Sequence, residues 1–234
     1  MRTFYTEADR LPSDDVRAVV LANDGQVVAR TAKGDAVLEG GKWNDSGEFA
    51  NLLAAKKTVP TVMRALVAKA GDVLAVARGP EGQAAVGTKQ GLFLSDKAGT
   101  RQVFPRHGHK SWAPTNVTVS YDGLGRLWFA SYQGAGCYEK SEWTLYTGAE
   151  GLPYDDMTAG AGGADGTVWF GTAIGAIRFD GSAWAYRQGK RWLPGDEVRD
   201  IAVDSGGNAW VATADGLSFI YFKGMPLAEK AKHY

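Results

Sequence analysis

Short apolar stretches, each closed by Gly, Asp or Asn, follow one another along this chain almost without interruption. "VRAVVLA" (16–22) and "VRDIAVD" (198–204) alternate apolar with polar or small residues, which predicts half-buried strands rather than helices. "TVWFGT" (167–172) carries few polar residues, as expected of a strand covered on both faces. The phrase around it returns: "ADGTVWFGT" at 164–172, "SGGNAWVAT" at 205–213, "GLGRLWFAS" at 123–131, "PEGQAAVGT" at 80–88 and "NDGQVVART" at 23–31. Successive copies start 57, 43, 41 and 41 residues apart. Each sits in the same setting: an apolar strand, a Gly-containing turn, the repeated strand, another turn, then one or two further strands.

Repeats of roughly 40 residues with about four strands each are the mark of β-propeller blades. The fold class is therefore all-β, a β-propeller of five blades, with six as the alternative. The choice turns on the wide first spacing. Residues 49–71, "FANLLAAKKTVPTVMRALVAKAG", are extra to a 41-residue blade, and are either an insertion with a short helix or, with the strand after them, part of a degenerate sixth blade. Trp128, Trp169 and Trp210 occupy one position of the repeated strand and are expected to lie between neighbouring blades. Val28 and Ala85 fill it in the first two copies, where packing should be less bulky.

The chain start carries a second clue. "TFYTEADRLPSDDV" (3–16) matches "TLYTGAEGLPYDDM" (144–157) at eight of fourteen positions. In mid-chain that phrase is an outer strand plus the crossing to the next blade. At the N-terminus no blade precedes it, so residues 2–6 should complete the last blade and close the ring, removing exposed sheet edges. One propeller domain is expected over 1–224. After Pro226 the composition turns to helix formers, so 225–234 reads as a helical tail or a linker.

"GLPYDDMTAGAGGADGTVWFGTAIGAIRFDG" and "WLPGDEVRDIAVDSGGNAWVATADGLSFI" resemble the two-component-regulator propeller repeat. The resemblance extends over nearly the whole chain and is weakest in the second copy. It implies a ligand-binding sensor module, often oligosaccharide-responsive. The same D-G-x-x-W phrase is similar to that of propeller lyases that open cyclic antibiotics, so it speaks for fold more than for activity.

Charge and composition add mainly exclusions. With 26 Lys+Arg against 26 Asp+Glu, nothing draws the chain to nucleic acid or an anionic membrane surface. No apolar run is long enough for a transmembrane helix. The start shows no signal-peptide pattern, which suits a cytoplasmic protein or a mature secreted or periplasmic domain. The single cysteine, Cys137, forms no intrachain disulfide and is expected to be a buried thiol.

Candidate chemistry belongs to the loops at one mouth of the channel, where crossings and b–c turns gather. Asp14, Asp155 and Asp196 recur in the "LPxDD/E" crossings and read as turn-fixing carboxylates. Their neighbours Asp15, Asp156 and Glu197 can line a polar mouth, or be salt-bridged by Arg17 and Arg199. Turns between the second and third strands add Lys33, Lys89, Gln90, Tyr132, Gln133, Ile174 and Asp215. Positions that break the repeat are the better ligand candidates: Tyr132, Gln133, Tyr154 and Trp112 offer the aromatic faces and amide groups that sugars favour, with Asp156, Asp15 and Glu197 as acceptors. "RHGHKSW" (106–112) holds His107 and His109, weak candidates for general acid–base work. "GAGGADG" (160–166) does not run from a strand into a helix, so it is read as a small inner strand and turn, not a phosphate cradle. No metal or cofactor is implied.

The expected function is a non-catalytic module recognising a small polar or saccharide ligand, or a protein partner, at the channel mouth. The alternatives are a lyase acting on a glycan or cyclic ester, with His107 or His109 as base, and a structural domain of a larger protein. The lyase reading requires the 106–112 loop to reach the mouth.

Overall fold

The computed structural model describes residues 2–22, 24–103, 106–107, 110–111 and 118–221. They form five four-stranded antiparallel sheets, each meandering outwards from an innermost strand. The innermost strands are Val16–Leu21, Val73–Arg78, Thr118–Tyr121, Met157–Gly162 and Val198–Val203. The repeated strands come next: Val27–Thr31, Ala84–Thr88, Leu127–Ser131, Val168–Thr172 and Ala209–Thr213. All but one of these are buried at every residue, because neighbouring blades cover both faces. A small two-stranded hairpin, Arg106–His107 with Lys110–Ser111, forms a separate sheet.

The ring closes as the repeated crossing phrase predicts. Strand Arg2–Tyr5 pairs with Gly216–Ile220 and becomes the outer strand of the fifth blade, with Tyr5 opposite Leu217. The crossing behind it carries a capping box: Thr6 and Asp9 satisfy each other's backbone N–H groups around one helical turn. Thr147 and Glu150 repeat the device between blades 3 and 4.

The three Trp residues lie between blades. Trp128 meets Phe170 and Phe179 of blade 4 edge-on. Trp169 packs with Val198, Ile201 and Val211 of blade 5, and Trp210 with Val19, Val27 and Trp43 of blade 1. Where the repeat lacks its Trp, the neighbour supplies a ring. Ala85 faces Phe129 of blade 3, and Val28 faces Phe49.

Phe49 opens the stretch that left the blade count open. Residues 49–71 form helix α1 (Phe49–Lys57), helix α2 (Arg64–Val67) flanked by 3-10 turns, and no strand. The propeller therefore has five blades and a helical wedge. Helix α1 is rich in Ala, Leu and Lys, and it stops where Pro60 forbids helical backbone before it. It lies between the first two blades, with Phe49, Leu52 and Leu53 packed on Val20, Val28 and Val37. Met63, Val67 and Ala70 then seal Val86 and Phe93 of blade 2.

Side chains of the inner strands bridge adjacent blades. Thr158 Oγ1 donates to the Val198 carbonyl at 2.7 Å, and Thr118 Oγ1 to Gly160 at 3.2 Å. Ser120 Oγ accepts the Gly162 N–H at 2.8 Å. A Cβ on Gly162 would run into the Tyr121 backbone, so "GAGGADG" is small because two inner strands meet there. The tail at 225–234 lies outside the described residues. Among the described residues, no helix is long and apolar enough to cross a membrane.

Candidate functional site

The five innermost strands enclose a channel of about 660 Å³, with Leu53, Lys56 and Lys57 of α1 completing its wall. Asp200 stands out on that wall. The position opposite the fourth residue of each repeated strand is Ala18, Ala75, Thr118 and Ala159 in the other blades, and Asp200 in the fifth. Its Oδ2 accepts the Val19 N–H of blade 1 and its Oδ1 the Ile201 N–H, both at 2.9 Å. The carboxylate thus ties the last inner strand to the first.

Burial pushes the Asp200 carboxyl above its usual range, against those N–H groups and the nearby Lys56 and Lys57. Lys56 is displaced the opposite way. Enclosure within the channel lowers its affinity for a proton, and the Asp200 charge only partly offsets this. By surface area Lys56 is an exposed residue, so the shift reflects channel walls gathered around the ammonium and not exclusion of water. Among the described residues no ion pair closes on Lys56 or Lys57, and helix α1 brings two ammonium groups to face one already satisfied carboxylate.

These shifts fix a pH dependence. A lysine whose folded-state pKa is depressed binds fewer protons folded than unfolded, so stability rises with pH between that folded value and 10.5. Replacing Lys56 by Met removes this contribution. The melting-temperature difference between wild type and Lys56→Met, followed from pH 7 towards 10.5, is expected to shrink in favour of wild type. A difference constant with pH would show that Lys56 is not enclosed in this way.

At the mouth above, two of the predicted carboxylates are held by arginine. Arg199 Nη1 pairs with Asp15 across the ring closure and its Nε donates to Glu197 at 3.3 Å, while Arg17 approaches Asp15 at 3.5 Å. Their neighbours fix turns: Asp14 accepts the Glu7 N–H and Asp196 the Gly189 N–H, both at 2.6 Å. Asp156 differs, because its Oδ1 is buried without a hydrogen-bond partner. Tyr154, two residues earlier, leans on the core between blades 3 and 4. Tyr132 projects into solvent at 67% exposure from the turn that also holds Gln133, whose N–H donates to Ser131 Oγ at 3.1 Å.

Trp112 and His109 lie outside the described residues. His107 belongs to the small hairpin, whose backbone runs beside Glu142–Tyr146, the outermost strand of blade 3. That places the hairpin at the rim of the blade, away from the inner strands. Cys137 is buried, and burial pushes its thiol up to about 12, which favours the structural thiol expected of it.

The sequence reading passed over Lys56, Lys57 and Asp200. Asp200 was visible as a charge in a column of small residues once the repeats are aligned. The lysines were not, since only the folded insertion carries them to the axis.

No family model matches the chain, and no curated protein matches it. Its fold is similar to the extracellular domain of the hybrid two-component system BT4673 from B. thetaiotaomicron, at 16% identity and a TM-score of 0.53, covering 90% of this chain. This chain spans only 28% of that domain. It is also similar to virginiamycin B lyase from Staphylococcus aureus, at 13% identity and a TM-score of 0.52, over 95% of this chain and 99% of the lyase. A streptogramin B lyase structure aligns at 12% identity and 0.51, over 95% and 98%. At such identities the likeness is one of architecture: this chain is a β-propeller, a fold found both in extracellular domains of two-component systems and in lyases.

Proposed function

We propose that the chain is a non-catalytic, sensor-type propeller of the two-component-regulator kind, which takes a small polar or saccharide ligand through its mouth into the channel. The observation that carries this reading is the channel itself: a walled space into which helix α1 delivers Lys56 and Lys57 opposite Asp200. Both Asp200 oxygens are engaged by backbone N–H groups, which suits a positioned acceptor better than a proton shuttle. At the mouth, a turn of the Asp156 side chain would bring its buried, unpartnered Oδ1 to a ligand hydroxyl. Tyr132 and Tyr154 supply aromatic faces, Gln133 an amide, and Trp112 extends this set in the sequence. Asp15 and Glu197 orient Arg199 at the rim.

A thermal-shift screen with neutral sugars, sugar acids and oligosaccharides tests the reading. A compound at a hundred times its Kd adds about 2.7 kcal/mol to the folded state. For a domain of this size that raises the melting point by roughly 5–10 °C. The shift is expected to fall in Lys56→Ala and in Asp156→Asn. If no compound moves the melting point, or if both variants respond as wild type does, the channel is not the site.

A further inference from the structure

A second cluster of charge lies on the face of blade 4 that turns towards blade 5. The residue opposite the repeated-strand Trp is apolar in four blades, namely Val37, Leu94, Cys137 and Phe219, and is Arg178 in the remaining one. Arg187 pairs with Ala176 while Arg178 pairs with Ala185, so the two arginines are diagonal neighbours on one face of the sheet. The positions matching Arg187 in the other blades are Ser46, Val103, Tyr146 and Tyr5, none of them charged. The blade architecture itself needs neither arginine.

The next crossing brings a third. Trp192 folds back against Trp169, Leu193 and Val198, and the Arg187 and Arg191 guanidinium carbons lie 4.5 and 5.6 Å from its ring centroid. Burial, together with the charges of Arg178 and Arg191, works against the Arg187 proton. A guanidinium does not escape by deprotonating, so its charge is met in part by the Trp192 face and the Tyr186 carbonyl, and an anion would complete the set. Asp180 approaches Arg178 at 3.5 Å. Among the described residues no ion pair closes on Arg187 or Arg191. The Arg187 Nη1 donates to the Tyr186 carbonyl at 3.0 Å, but its Nε is buried and unpartnered.

We propose that Arg187 and Arg191, both against Trp192, together with Arg178 beside Arg187, bind a tetrahedral oxyanion, a phosphate or sulfate group either free or carried on a sugar. Arg187 and Arg191, with no ion pair among the described residues, bring two positive charges, which suits a dianion, and guanidinium forks match oxyanion geometry. The half-exposed Trp192 and exposed Arg191 leave the cluster open to solvent on one side. This site is separate from the channel and stands whether or not the channel binds anything.

The test is calorimetric titration and thermal shift of the full chain in chloride buffer at constant ionic strength. The probes are inorganic phosphate, sulfate, acetate, glucose and glucose 6-phosphate. Saturable binding of phosphate and sulfate is expected, with acetate and glucose silent. Tighter binding of glucose 6-phosphate than of phosphate would mean that the group arrives on a sugar, and equal binding that the free ion suffices. Arg187→Gln and Arg191→Gln should each weaken phosphate at least tenfold, and Lys56→Ala should leave it unchanged. Without added anion Arg187→Gln should melt no lower than wild type, since it removes an unmatched charge. Arg191 is exposed, so its variant reports even if Arg187→Gln folds poorly. A non-saturating response, or phosphate affinity unchanged in Arg191→Gln, overturns the proposal.

Discussion

Deleting residues 2–6 is expected to lower the melting temperature by on the order of 10 °C and to make the protein self-associate. The strand Arg2–Tyr5 pairs with Gly216–Ile220 of the fifth blade and finishes the seam between the two chain ends. The Tyr5 ring stacks on Trp210 at 5.9 Å and meets Trp43 edge-on at 5.7 Å, joining the fifth blade to the first. Losing a mostly buried aromatic side chain removes about 1.5–3 kcal/mol of apolar burial. Two aromatic pairs add about 0.5–1.5 kcal/mol each, for a total on the order of 4 kcal/mol. At roughly 2–4 °C per kcal/mol in a domain of this size, this gives the predicted drop. The freed edge of Gly216–Ile220 then offers unpaired backbone to other chains. Circular dichroism melting and size-exclusion chromatography read both effects. A peptide of residues 2–15 added in trans should recover stability as its concentration rises, by mass action. A truncated chain that melts with the full-length protein and stays monomeric would mean that the seam is held elsewhere.

That seam shows which features a repeat sequence makes legible. The "TFYTEADRLP" phrase exposes the closure because an outer strand and its crossing are encoded alike wherever they occur. The Trp positions likewise announce blade interfaces, since one strand meets one neighbour in the same way each time. The recurring first aspartates read correctly as turn-fixing at Asp14 and Asp196, whose bonds reach only seven residues back. Features that depend on what is inserted or substituted within the repeat are harder to see. The 49–71 stretch has the composition of a helix, but only the gap between the first two blades makes it a wall of the channel. Lys56 and Lys57 reach the axis through that tertiary placement. The pairing of Arg199 with Glu197 is local, two residues apart, but its pairing with Asp15 depends on which blades the ring brings together, 184 residues apart. Asp200 and Arg178 stand between these extremes. Each breaks a column of uncharged residues, and each becomes visible only when the strands are set in register.

The second large effect is expected at Asp122, in the turn "YDGLGRLW" of blade 3. Its residue surface is 2% exposed, and both oxygens are fully used. Oδ1 accepts the Leu124 and Arg126 N–H groups at 3.0 Å. Oδ2 accepts Arg126 Nε at 2.7 Å and the Trp128 indole N–H at 2.8 Å. Arg126 in turn reaches the Gly166 carbonyl of blade 4 at 2.7 Å, and Trp128 packs on Phe170 and Phe179 of that blade. One carboxylate therefore sets the turn, holds a nearly buried guanidinium and orients the ring between two blades. Asp122→Ala leaves that guanidinium and three further donors unmatched, and removing one member of a buried ion pair costs about 3–5 kcal/mol. Asp122→Asn keeps one acceptor oxygen but points an amide N–H₂ at donors, so it should fall between alanine and wild type. Asp204 holds the corresponding turn of blade 5, but its partners are the Gly206 N–H and the backbone and side chain of Asn208. With no charged group or indole left behind, Asp204→Ala should lose only about 1–2 kcal/mol. Chemical denaturation of the three variants gives the ordering directly. Equal losses at Asp122 and Asp204 would mean that the turn alone matters, and that the link from carboxylate to Arg126 and Trp128 does not carry the interface between blades 3 and 4.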